Sequence, residues 1–437
     1  MAEKINLRGL VAEILLTVER EGELSHLAIR GVLDKYRYLP RRDRAFIKRV
    51  SEGTMERMIE IDYIIDQFSG TKVKKMKPVI RAVLRSAVYQ LKYMDAVPDS
   101  AVCNETVKLA VKRGFSGLRG FVNGVLRSIA RNKANIVYPS METEPVRAIS
   151  IRYSMPEWIV NRFCDSYGQE RCIRILAAYL GDDLCDFVQT GKEEKDSIKA
   201  LSQNPAPHRG TCVRVDTDRK SAEEVRCSLE AQGIKVVPHE RLTYAFYISG
   251  YDVLDEIPEF SEGILYVQDI SSMMVAEIAQ PRENDFILDV CAAPGGKSLH
   301  LAQMMHGTGM VEARDLTEYK ADLIRENISR CRAKNIRAVV WDATVFDPEM
   351  EEKADIVIAD LPCSGLGVIG RKTDIKYRAS EEGIRELSEL QKKILDVVWR
   401  YVKPGGTLMY STCTMTAEEN GENTAWFVRQ HPQFSLV

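Results

Sequence analysis

Along the first 135 residues apolar positions recur three and four apart, and strand-like alternation is lacking. That period predicts helices over Leu7 to Glu19, Leu24 to Leu33, Arg42 to Phe68, Val79 to Tyr93, Ser100 to Arg113 and Leu118 to Arg131. Pro98 breaks the pattern before the fifth helix, and Gly114 and Gly117 punctuate it before the sixth. The pattern changes after residue 285. Short apolar runs read as strands: Phe286 to Val290, Gly309 to Arg314, Arg337 to Trp341, Asp355 to Ala359 and Gly406 to Ser411. Helical spacing returns between them, over Glu318 to Lys334 and Ile384 to Val402, with Ile384, Leu387, Leu390, Ile394 and Val398 on one stripe. Strand alternating with helix predicts a parallel sheet with helices on both faces.

Between these regions the chain is mixed. Tyr138-Pro139-Ser140 reads as a linker, Pro156 to Phe163 as a helical run, and 181–210 as a polar, less regular stretch broken at Asn204-Pro205-Ala206-Pro207. Cys212 to Val215 reads as a strand. Ser221-Ala222-Glu223-Glu224 is a capping box for a helix that runs to Gln232, stops at Gly233 and leads to a second strand, Ile234 to Val237. This resembles half of a ferredoxin-like module, a scaffold often used for RNA. Arg214 and Lys235 are its candidates for RNA contact, a solvated sheet edge being the plainer reading. Residues 251–285 lead into the large sheet: Tyr266 to Asp269 ends a short strand, and Ser271 or Ser272 is expected to cap a helix from Met273 to Ala279.

A length of 437 residues predicts two to three domains, and 45% hydrophobic with 28% charged residues describes an ordinary globular chain. No uncharged run approaches the ~18 residues of a membrane span, and the first eight residues do not read as a secretory signal. Ten scattered cysteines form no Cys-x-x-Cys pair, which argues against zinc and for free thiols in a reducing cytoplasm. The net charge of −2 hides an asymmetry: residues 1–135 carry +11 and the remainder −13. Basic clusters at Arg41-Arg42-Asp43-Arg44, Lys72 to Lys77 and Lys112-Arg113 suit a polyanion partner, or a solvated helical surface.

The candidate chemistry gathers at strand ends. Cys291-Ala292-Ala293-Pro294-Gly295-Gly296-Lys297 follows the first strand and opens a helix, so backbone can approach a ligand closely there. Later strands lead to Asp315, to Asp342, to Asp360 with Leu361-Pro362-Cys363-Ser364, and to Thr412-Cys413-Thr414. In a parallel sheet these ends face one crevice. Any one of the acids taken singly reads as a helix cap or loop end. The glycines match neither Gly-x-Gly-x-x-Gly nor Gly-x-x-x-x-Gly-Lys-Ser. One glycine turn with three strand-end acids suits S-adenosylmethionine, a sulfonium cation, and would repel a pyrophosphate. Asp315 would take the ribose hydroxyls and Asp342 the adenine amine. Two cysteines beside a methyl donor suit methylation at carbon 5 of a pyrimidine. That carbon becomes nucleophilic once a thiolate adds to carbon 6, and Asp360 is placed to hydrogen-bond the ring. N- or O-methylation needs no thiol adduct, and a non-catalytic RNA-binding factor that kept the fold would not bind the donor.

Residues 291–297, Asp360 to Gly365, and Tyr410-Ser411-Thr412-Cys413-Thr414 with Glu418-Glu419-Asn420 resemble the signature blocks of the Nop/Sun family of RNA cytosine-C5 methyltransferases. The first 135 residues resemble a NusB-like RNA-binding domain, with Leu118 to Arg127 similar to its last helix block. The resemblance spans nearly the whole chain. It implies a NusB-like helical domain over 1–137, linker helices with a small α+β RNA-binding module over 138–262, and a Rossmann-like methyltransferase domain over 263–437 without its usual last strands. It further implies S-adenosylmethionine as cofactor, 16S ribosomal RNA as partner, and a monomer in the cytoplasm. Cys291, Ala292, Ala293, Pro294, Gly295, Gly296, Lys297, Asp315, Asp342 and Asp360 would bind the cofactor, and Asp360 would also face the cytosine. Cys413 would be the nucleophile and Cys363 would assist product release. Two positions depart from the family pattern: Leu361 stands where Ala is usual, and Gly370 where Arg is frequent, which implies one phosphate contact fewer.

Overall fold

In the computed structural model, which describes residues 5–181 and 210–437, Asn6 starts the first helix by accepting the Gly9 N–H at 2.9 Å. The chain then runs helically through Leu7–Glu21, Ser25–Lys35, Arg41–Glu56, Met58–Phe68, Pro78–Tyr93, Asp99–Lys112 and Arg119–Arg131. Pro78–Tyr93 is the central helix: Ile80, Val83, Leu84, Ala87, Val88 and Leu91 are all buried along it. Its neighbours supply Ile14, Ile47, Ile61, Ile65 and Leu126 to the core around it. Each such side chain contributes about 1.5–3 kcal/mol by burial, far more than helix propensity does. The helix expected over Arg42 to Phe68 is two helices, broken at Arg57 (φ −102°). Arg57 is buried there, with its guanidinium 5.0 Å from the centre of the Tyr93 ring. The break leaves the apolar period intact, so periodicity does not register it.

Contacts divide the chain into two compact units. The first comprises the described residues up to 181 together with Val368–Arg378. In it Pro145–Arg152, Glu157–Tyr167 and Gln169–Leu180 follow the seven helices already named. The Val368–Arg378 segment is held by Lys376, whose buried ammonium donates to the carbonyls of Glu56 and Ser154 at 2.7 Å each. Gly370 lies against Tyr179; a Cβ there would sit 3.0 Å from the Tyr179 carbonyl oxygen, so no side chain, arginine included, fits without a shift. The 182–209 part of the expected polar stretch lies outside the described residues.

The second unit holds two sheets. The smaller has strands β1 (Thr211–Val215), β2 (Lys235–Pro238), β3 (Ala245–Ser249) and β4 (Leu265–Val267), in the order β2-β3-β1-β4 and antiparallel throughout. The helix Ala222–Ala231 begins at the expected Ser221/Glu224 capping box. Three expectations change here. The strand at Tyr266 pairs with β1 in the small sheet instead of leading into the large one. The next helix begins at Ile270, so Ser271 and Ser272 lie inside it and Asp269 takes the N-cap position. Arg214 is no solvated edge residue: it is 4% exposed, with Nε donating to Gln268 Oε1 at 2.9 Å. Lys235 does stand exposed, on edge strand β2.

The larger sheet has β5 (Phe286–Asp289), β6 (Met310–Asp315), β7 (Ile336–Val340), β8 (Ala354–Asp360) and β9 (Val402–Ser411), all parallel, in the order β7-β6-β5-β8-β9. Side chains alternate between its faces. Ile287, Ile356 and Ile358 join the core under Ile270–Ala279, Gly296–Met304 and Glu318–Cys331. Leu288, Val357 and Ala359 join the opposite core under Glu381–Val398 and Asn423–Gln430. Helices therefore cover both faces, as the alternation of elements predicts. This is a Rossmann-like α/β sheet, and its strand order reverses at β5. Among the described residues β9 is an edge strand, and no helix is long and apolar enough to cross a membrane.

Candidate active site

A reversal of strand order opens a crevice outside the carboxyl ends of the strands on either side of it. Here those are β5 and β8. After β5 the chain turns through Cys291 to Gly295 and starts the helix Gly296–Met304. Gly295 adopts φ +101°, a conformation an L side chain rarely takes. At Gly296 a Cβ would lie 3.1 Å from the Tyr266 ring. Asn327 Nδ2 steadies the turn by donating to the Pro294 carbonyl at 3.0 Å. Asp315, at the end of β6, accepts the Ala293 N–H at 3.0 Å and faces Lys320 at 2.9 Å. The Trp341 N–H donates to the Asp315 carbonyl at 3.0 Å, which sets the end of β7 beside it. Asp342 follows, exposed, its carboxylate accepting from the backbone and hydroxyl of Thr344 at 2.9 and 2.7 Å.

Beneath the turn lies a group that the strand pattern does not mark as functional. Asp289 is 1% exposed and accepts from Ser298 Oγ at 2.5 Å, while its other carboxylate oxygen has no hydrogen-bond partner. Burial pushes its carboxyl up to about 7. Burial, with Asp289 and Asp315 nearby, also pushes the Cys291 thiol up to about 12, which makes it a poor nucleophile.

On the β8 side Lys297 Nζ meets Asp360 Oδ2 at 2.6 Å, and Ser411 Oγ donates to Asp360 Oδ1 at 2.7 Å. Three residues on, Cys363 reaches Cys413 from the end of β9: the two sulfurs are 2.9 Å apart, and the Cys413 N–H donates to Cys363 Sγ at 3.2 Å. Cys413 is exposed and Cys363 partly buried. The hydrogen bond to Cys413 and then burial push the Cys363 thiol far above its ordinary range, so it keeps its proton. Gly367 donates its N–H to the Cys413 carbonyl at 3.0 Å, and a Cβ on it would stand 2.8 Å from that oxygen. The structure thus links Asp315, the 291–297 turn, Asp360 and both cysteines along one sheet edge. Asp342 shares that edge but spends its carboxylate on its own turn. Tyr266, Asn327 and Gly367 support the site without a sequence signal, because each acts through contacts remote in the chain.

Residues 276–437 match the family described as 16S rRNA methyltransferase RsmB/F, and residues 5–131 match the NusB family. A "Probable ribosomal RNA small subunit methyltransferase B" of Bacillus subtilis is 34% identical over 99% of this chain and 90% of its own length. The chain belongs to the RsmB/F methyltransferase family. A second relative, carrying the same printed name in Synechocystis, is 30% identical over 98% of this chain and 90% of its own length. The crystal structure of PH0851 is 27% identical, with a TM-score of 0.78 over 99% of this chain and 92% of that one. The NusB-like helical domain and the Rossmann-like methyltransferase domain expected from sequence are both borne out.

Membership makes the chain an S-adenosylmethionine-dependent rRNA methyltransferase, and the crevice fits that cofactor. The donor is a sulfonium that also carries an ammonium group. Asp315 and Asp360 rim the crevice over buried Asp289, and Lys297, the one cation of the turn, is already paired with Asp360. Carboxylates in such a site favour cations and disfavour a pyrophosphate.

Proposed function

We propose that this enzyme methylates carbon 5 of a cytosine in 16S ribosomal RNA through a transient bond between Cys413 and carbon 6. The observation that carries the reading is the pair of sulfurs 2.9 Å apart, three residues beyond Asp360. Cys413 is the exposed member, open to a base swung out of an RNA strand. Cys363 keeps its proton and donates toward it. Cys413 Sγ bonds to carbon 6, and the electrons of the carbon 5–carbon 6 double bond move toward carbon 5. Asp360 hydrogen-bonds the ring and favours that addition. When bound, S-adenosylmethionine supplies an electrophilic methyl group. Loss of the carbon 5 proton to a base then returns the sulfur–carbon 6 electron pair to Cys413, with Cys363 assisting release.

Residues 291–297 with Asp315, Asp342 and Asp360 hold the cofactor in this reading. The chain divides into a NusB-like RNA-binding domain over 1–137, linker helices and a small RNA-binding module over 138–262, and the methyltransferase domain over 263–437. The order β2-β3-β1-β4 with a crossover helix supports a ferredoxin-like reading of the middle module. The protein acts as a monomer in the cytoplasm.

Incubation with 16S ribosomal RNA and cofactor, followed by denaturing electrophoresis, tests the chemistry. Cys363→Ala is expected to accumulate a protein–RNA adduct and Cys413→Ala none. The reverse pattern exchanges the two roles, and no adduct from either variant rejects the thiol mechanism. Bisulfite sequencing of ribosomal RNA with and without the gene tests the base and its position.

A further inference from the structure

Cys363 and Cys413 stand on separate irregular loops after β8 and β9, so their spacing has to be set by something outside those loops. The segment Glu418–Glu422 is a single π-helical turn, and such turns occur frequently at functional sites. Two adjacent side chains of this turn reach the two cysteine loops. Glu419 is 0% exposed. Its Oε1 accepts from the Ser364 N–H at 2.8 Å and from Gln391 Nε2 at 3.2 Å. Its Oε2 accepts from Ser364 Oγ at 2.5 Å and from Thr416 Oγ1 at 2.7 Å. A carboxylate has about four acceptor directions, so these donors saturate it. Gln391 also donates to the Pro362 carbonyl at 2.8 Å. Cys363 is therefore held through both of its chain neighbours.

Asn420 grips the other loop. Its Oδ1 accepts from Thr412 Oγ1 at 2.7 Å, and its Nδ2 donates to the carbonyls of Thr414 and Thr416 at 3.3 and 2.8 Å. Thr412 and Thr414 flank Cys413. A further bond ties the two loops directly, between Ser364 Oγ and Thr414 Oγ1 at 2.7 Å.

We propose that the π turn Glu418–Glu422 is a clasp that sets the geometry of the sulfur pair, with Glu419 the positioning residue for Cys363 and Asn420 the positioning residue for Cys413. The proposal rests on the thiol chemistry above and adds that each sulfur is placed by its own side chain. Neither residue touches the substrate. Displacing one loop misplaces one sulfur and leaves the cofactor turn at 291–297 in place.

The test uses the full chain with S-adenosylmethionine and 16S ribosomal RNA, comparing Glu419→Ala, Glu419→Gln and Asn420→Ala with Cys363→Ala and Cys413→Ala. Both alanine variants at the clasp are expected to keep parental cofactor affinity and KM for RNA, and to lose about 100-fold in kcat, the scale set by a misplacement near 1 Å. Glu419→Ala accumulates adduct, as Cys363→Ala does, because the bond forms and release is impaired. Asn420→Ala forms little adduct, as Cys413→Ala does. Glu419→Gln, which keeps one acceptor oxygen, recovers part of the rate. Ser364→Ala, which keeps the backbone bond to Glu419, carries the test if Glu419→Ala fails to fold, and shifts adduct yield the same way. Parental adduct yield in both clasp variants overturns the proposal. So does an equal loss of adduct in both together with lowered cofactor affinity and Tm, since the turn would then only support the fold. Failure of the two cysteine controls to differ rejects the thiol reading instead.

Discussion

Asp289 sits under the cofactor turn with its carboxyl pushed up to about 7 by burial, against about 3.9 in an unfolded chain. Between about pH 4 and pH 7 the folded protein then holds a proton that the unfolded chain has lost. Stability falls as pH rises through that window, by at most about 4 kcal/mol, and the cost is complete above it. Asp289→Asn keeps an acceptor for Ser298 and removes the charge. It is expected to raise Tm over the parent at pH 8 and to lose that advantage near pH 4; an equal difference at both values rejects the assignment. The residue reads in sequence as one more position in an apolar strand. Its energetic weight comes from the side chains that close over it, chiefly the helix that carries Ser298. Cys363 makes the same point. Its position beside a strand end is visible in sequence, but its retained proton depends on a sulfur fifty residues away.

At the scale of elements, helix and strand periods located nearly every segment, because each segment buries one face or both against a single core. What the periods missed is where one element meets another. Arg57 breaks a predicted continuous helix at a point fixed by Tyr93 of the central helix. Strand β3 is short and goes unmarked by the sequence pattern, yet it lies between β1 and β2. Gly53 shows the energetic side of such meetings. It lies inside Arg41–Glu56, where alanine would ordinarily gain about 1 kcal/mol in helix propensity. A Cβ there would overlap the Tyr89 ring of the central helix. Overlap in a packed core costs typically about 1–3 kcal/mol, so Gly53→Ala is expected to lower stability in denaturant titration; a gain would show that Tyr89 moves aside freely.

For the whole molecule, charge is divided as unevenly as chemistry. The first 135 residues carry +11. Between Asp99–Lys112 and Arg119–Arg131 lies a groove lined by Lys108, Lys112, Arg119, Gly120, Asn123 and Arg127. With no side chain at Gly120, a backbone ligand can approach the helix there. If this groove takes RNA phosphates, exchanging Lys112, Arg119 and Arg127 for Gln lowers RNA affinity across sequences. Each lost contact reduces the slope of log affinity against log salt by about one. Cofactor affinity stays at the parental value. An unchanged salt slope in filter-binding titrations assigns the groove to solvent.

Local sequence was sufficient for the order of elements, the glycine turn and the identity of the two thiols, because turn chemistry, hydrophobic period and motif spacing act between near neighbours. It also carried the family resemblance, since those motifs are contiguous. Only the tertiary structure brought Asp315 to Ala293, Lys297 to Asp360, Cys363 to Cys413 and the π turn to both cysteine loops. Those contacts join residues far apart in the chain. Their distances are set by strand order and packing, which no local pattern encodes.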